Sequence, residues 1–77
     1  MTPTTIPGLT AERCMDLASA LASLGVGREQ SGLSSAALDA FNASDSYRWI
    51  ARHPTDPRCP DVLLRAWSGK PPPEDAP

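Results

Sequence analysis

Bulky side chains are scarce in this sequence. Its 77 residues include four aromatics (Phe41, Tyr47, Trp49 and Trp67) and two isoleucines, Ile6 and Ile50. A chain of this length buries only roughly 60% of its unfolded surface, so few large residues mean a small core and one domain. No apolar run approaches the roughly 18 residues of a membrane span. There is one histidine and there are two cysteines. That makes three soft ligands where a closed zinc site wants four, and no Cys-x-x-Cys or His-x-x-x-His pair occurs, so no metal and no cofactor is expected. A formal net charge of -2 is small and of the wrong sign for a generic polyanion binder. Period-2 runs and Asn-Gly or Asp-Gly turns are missing, which leaves no strand pattern to compete with helix.

Small residues and prolines are abundant instead. Ala, Pro, Arg and Gly fill 31 positions, an alphabet that GC-rich codons favour and that suggests a small bacterial or phage protein. Residues 1–8 contain no Lys or Arg and no apolar run, unlike a secretory signal. The expected compartment is therefore cytoplasmic, with Cys14 and Cys59 reduced and packed as small hydrophobes. A bond between them would close a long loop and be worth on the order of 4 kcal/mol, but compartment argues against it.

The pattern predicts an all-α, compact bundle of three or four short helices. Residues 1–9 read as an extended lead-in marked by Pro3 and Pro7. Thr10 caps a first helix over 11–24, with Glu12 in its first turn and Cys14, Leu17, Ala18, Leu21 and Leu24 as its apolar stripe. Gly25 sits where a C-cap is expected. A second helix runs from Ser34 or Ser35 to about Asn42, and a third over 46–52 after a fresh cap at Ser44 or Asp45, the alternative being one helix with an irregular joint at 42–46. The connector 53–60 carries Pro54, Pro57 and Pro60. It feeds a fourth helix through Val62, Leu63, Leu64, Ala66 and Trp67, ended by Ser68-Gly69. Residues 10–69 form the domain. Residues 70–77 form a Pro-rich flexible tail, with Glu74 and Asp75 keeping it solvated.

Catalytic signatures are weak. No Gly-x-Ser-x-Gly elbow or phosphate loop is present, and Gly25 and Gly27 lack a Gly-Lys-Ser/Thr partner. Cys59 lies near His53 in sequence, but a small bundle offers little room for a substrate cleft. No enzyme activity is expected. A helix-turn-helix DNA-binding regulator is the alternative reading, with Ser34, Ser35 and Asn42 on the candidate recognition helix. That segment contains Asp39 and no Lys or Arg, which disfavours phosphate contact.

Charge and aromatics shift toward the carboxyl end. Residues 44–70 hold five basic and three acidic groups, against two and four in residues 1–43. At 100° per residue, Tyr47, Ile50 and Ala51 share one side of the third helix and Trp49 points away from them, beside Arg52. The fourth helix is apolar around most of its circumference. Excess apolar surface of this kind calls for a partner. The expected partner surface is Arg48, Trp49 and Arg52 with Leu64 and Trp67, Trp49 being the anchor; the competing reading folds Trp49 under the proline connector against the fourth helix. The expected partner is another protein, and the job that of an inhibitor, adaptor or regulatory subunit. Self-association through the fourth helix, as a homodimer or assembly component, is the third reading.

Overall fold

A computed structural model describes residues 1–74; residues 75–77, the end of the expected tail, lie outside the described residues. The described residues form three helices: α1 (Ala11–Gln30), α2 (Ser34–Arg52) and α3 (Cys59–Trp67). Among the described residues no helix is long and apolar enough to cross a membrane.

Helix α1 starts as the sequence predicts. The Thr10 hydroxyl accepts a 3.1 Å hydrogen bond from the Arg13 N–H, and Glu12 lies in the first turn. It ends six residues later than expected, because Gly25 is not its cap. Ser31 is the C-cap, and Gly32 after it takes the left-handed turn at φ 77°. There the Gly32 N–H donates to the Glu29 carbonyl (3.0 Å) and the Leu33 N–H to the Arg28 carbonyl (2.8 Å), the two bonds of a Schellman ending. Gly25 does something else. A Cβ on it would lie 2.8 Å from Cε1 of Phe41, so its missing side chain is the space that the α2 ring occupies.

Helix α2 corrects a second expectation. The break anticipated at 42–46 is absent, and one helix replaces the predicted second and third. Ser44 does not cap a new helix. Its hydroxyl donates across the interface to the Ala18 carbonyl of α1 at 2.7 Å and accepts from Nη1 of Arg48 at 3.0 Å. Serine costs a helix interior only a few tenths of a kcal/mol, which burial against a neighbour outweighs. Ser46 is also buried, and its hydroxyl has no hydrogen-bond partner among the described residues. Helix α3 begins close to the predicted point, with Pro60 in its first turn.

Both α1 and α3 pack on α2, but no Cα of α1 comes within 8 Å of a Cα of α3. The core lies at one end of the molecule, where Cys14, Trp49, Ile50, Cys59 and Val62 meet, flanked by Ile6, Leu9, Tyr47, Ala51 and Leu63. The lead-in closes this end. It folds back on itself through a Pro3–Thr10 bridge. Thr5 then ties it to the connector, its N–H donating to the Pro54 carbonyl and its hydroxyl to the Asp56 carbonyl, each at 2.8 Å.

Two glycines of α1 should respond oppositely to alanine. Gly27 has open space where a Cβ would stand, so Gly27→Ala should raise stability by roughly 0.5–1 kcal/mol through the backbone. Gly25→Ala meets the Phe41 ring and should instead lower it by about 1–3 kcal/mol. Urea unfolding midpoints of the two variants check the signs.

Candidate functional site

The seam between α1 and α2 is built from small residues. On α1 the fully buried positions are Cys14, Ala18 and Gly25, which fall within a stripe roughly 40° wide at 3.6 residues per turn. Facing them α2 presents Ala37, Ala40 and Ser44. Close approach along this line turns the neighbouring leucines of α1 aside. Leu17 and Leu21 are half-buried and Leu24 is exposed, although the sequence placed all three on the core stripe.

Those leucines form one wall of a groove. Leu17, Leu21 and Leu24 of α1 face Trp67 of α3 across a floor of Ala43 and Tyr47 from α2. The groove holds about 380 Å³ and is predominantly apolar. It continues past Ala40 toward Arg28, Asp39 and the Ser68-Gly69 corner. Asn42 fixes that corner, its Nδ2 donating to the Gly69 carbonyl at 2.9 Å. That contact occupies a side chain that the DNA-binding reading assigned to base edges.

The five residues expected to form a partner surface do not lie together. Trp49 is 4% exposed and belongs to the core, so the expectation of an exposed anchor there is overturned. Its indole stacks on the His53 ring, with centroids 4.4 Å apart, and the Arg58 guanidinium covers it at 5.1 Å. Arg58 is held in turn by Asp56, through Nε to Oδ1 at 3.1 Å and Nη2 to Oδ2 at 2.9 Å. Hydrogen bonds from the Arg58 side chain and backbone hold the Asp56 carboxyl below its usual range. The proline connector thus forms a lid over Trp49. A helix with neighbours on two sides buries far more of its circumference than a single stripe, and this is why counting from one stripe misplaced the indole.

Arg48 is half-buried, bonded to Ser44 and 3.6 Å from Asp45, and Arg52 is exposed. Both lie roughly 100° or more around α2 from Tyr47 at 3.6 residues per turn, away from the groove. Leu64 and Trp67 stand on the surface as expected, 66% and 80% exposed. The groove leucines were missed. One signal was available in the sequence: three leucines on one helix face alanines and serines on the next, and cannot all be covered.

The thiols do not form a reactive pair. Cys14 and Cys59 are free and fully buried. They sit on α1 and α3, so their Cα atoms are more than 8 Å apart, beyond the span of a disulfide without backbone movement. The Cys59 thiol donates to the His53 carbonyl at 3.1 Å, while His53 Nδ1 donates to the Trp49 carbonyl at 2.9 Å. Burial, reinforced by the charges of Cys59 and Glu12, pushes the Cys14 thiol from 9.0 up to about 11. Among the described residues no group of three or more His, Cys, Asp or Glu is placed to hold a metal ion.

No protein-family model, no curated protein and no solved structure matches the chain.

Two predictions arise here. Trp49→Ala should cost about 3–5 kcal/mol of stability, and Trp67→Ala should stay within roughly 0.5 kcal/mol of the parent, both by chemical denaturation. In alkali, the unfolded chain releases the Cys14 proton near pH 9 while the folded chain keeps it to about 11. That contribution is whole below pH 9 and disappears between 9 and 11. The fall, on the order of 2 kcal/mol, should be absent in Cys14→Ala when the two are compared by urea titration across that range.

Proposed function

We propose that this chain is a non-enzymatic protein-binding module, acting by occupancy as an inhibitor, adaptor or regulatory subunit. The observation that carries this reading is Trp67, 80% exposed at the rim of an apolar groove walled by leucines from another helix. A tryptophan beside a preformed apolar hollow is the composition of a binding hot spot. The groove runs along a helix–helix junction, the shape that accepts an amphipathic helix by its i, i+4 and i+7 side chains. Arg28 and Asp39 at its far end supply polar groups that would set the direction of that helix. The surface proposed here keeps Leu64 and Trp67 and replaces Trp49, Arg48 and Arg52 with Leu17, Leu21 and Leu24.

A library of displayed amphipathic helices of randomised sequence provides the test. Selection on the full chain should enrich helices with large apolar residues at i, i+4 and i+7. Trp67→Ala and Leu24→Glu should each weaken the selected helices by about 2 kcal/mol or more with thermal melts unchanged. Failure to enrich any helix, or binding indifferent to both substitutions, would sink this reading.

A further inference from the structure

The lead-in is a loop with a base, a tip and one apolar foot. Its base rests on the start of α1, where the Ala11 N–H donates to the Thr2 carbonyl at 2.7 Å and Pro3 bridges to Thr10. The loop holds its own shape. The Thr4 N–H donates to the Leu9 carbonyl and the Leu9 N–H to the Ile6 carbonyl, each at 3.1 Å, and Gly8 makes the turn at φ 79°. The tip lies across the connector, tied there by the two Thr5 bonds to Pro54 and Asp56. Its foot is Ile6, half-buried against the core. No residue from 1 to 10 is fully buried.

What the tip covers is different. Cys59 is 0% exposed. Its thiol lies 3.9 Å from the Pro54 carbonyl, the same oxygen that accepts the Thr5 N–H at 2.8 Å, so thiol and loop tip meet on one acceptor. The connector beneath the tip supports itself. The Asp56 N–H donates to the His53 carbonyl and the Cys59 N–H to the Asp56 carbonyl, each at 3.1 Å, and Arg58 pairs with Asp56. The packing of α1 and α3 on α2 is helix against helix and does not pass through the loop. Lifting the tip therefore costs two hydrogen bonds and one half-buried side chain, far less than separating the helices.

We propose that the lead-in is a hinged flap: its tip swings off the connector about the base at Thr2 and Thr10, the three helices stay packed, and the core opens at Cys59. Cys59 is then a gated thiol, reached through the flap and not through unfolding of the domain.

Labelling of the full chain with an aromatic disulfide reagent tests the gate. The Cys59 thiolate attacks the reagent's disulfide, an arylthiolate leaves, its absorbance gives the rate, and mass mapping assigns the thiol. In the parent chain the Cys59 rate should stay nearly constant through low urea, because flap opening exposes little surface, and should climb only toward the global transition. Thr5→Val removes one tip bond and should speed labelling in water about threefold; Ile6→Ala removes the foot and should speed it about tenfold. Gly25→Ala weakens the α1–α2 seam ~20 Å along α1 from the base of the flap. It should lower the urea midpoint and leave the rate in water within about twofold of the parent. A parent rate that climbs from zero urea in step with unfolding would overturn the flap, as would a Gly25→Ala chain that labels faster in proportion to its lost stability. So would Thr5→Val and Ile6→Ala chains that label at the parent rate. Should Gly25→Ala not fold, the urea dependence of the parent decides alone.

Discussion

The arrangement depends on how closely α1 and α2 approach each other. Cys14, Ala18 and Gly25 on one side and Ala37, Ala40 and Ser44 on the other bring two backbones together with little side chain between them. At that range the Ser44 hydroxyl reaches a main-chain carbonyl of the opposite helix, and the Phe41 ring lies on the bare Cα of Gly25. Such contacts are rich in dispersion and cost little side-chain entropy, since alanine and glycine have none to lose. Their geometry also fixes what lies beside them. The leucines next to the seam cannot turn into it, and α3, packed on α2 without meeting α1, leaves them uncovered.

The same scarcity of bulky residues explains why the core is gathered at one end. Trp49, Ile50 and Val62 are the largest side chains in it, and they occupy the junction of the lead-in, the connector and two helix ends. Prolines and short polar bridges, not further helix, complete its enclosure. Arg58 is held on the face of Trp49 by a carboxylate two residues away. The lid is therefore a local structure, set by the sequence Asp-Pro-Arg.

Local chemistry made much of this fold legible. Thr10 and Glu12 announced the start of α1, and the Pro60-Asp61 pair announced α3, because capping and the helix dipole act within a turn. The glycines and serines were harder. Gly25 and Ser44 carry the same local signal whether they end a helix or let another helix approach, and only the neighbour decides between the two. Trp49 shows the same limit. A helical projection gives an angle, and burial depends on how many partners surround the helix. Of the expected surface, Leu64 and Trp67 were readable because α3 is too short to hide two apolar faces in one contact. The leucine wall was not, because stripes of leucine and of small residues adjoin on α1, and which one faces α2 is a matter of fit.

The tie between Thr5 and the backbone at Pro54 and Asp56 has a consequence for how the chain acquires its structure. The helical hairpin is made of neighbours in sequence and needs only a short loop to close, whereas the aromatic end needs the first ten residues and the last helix at once. Enclosing Trp49 is therefore the long-range step of the fold, since it joins Thr5 to the backbone at Pro54 and Asp56, whereas the hairpin joins neighbours.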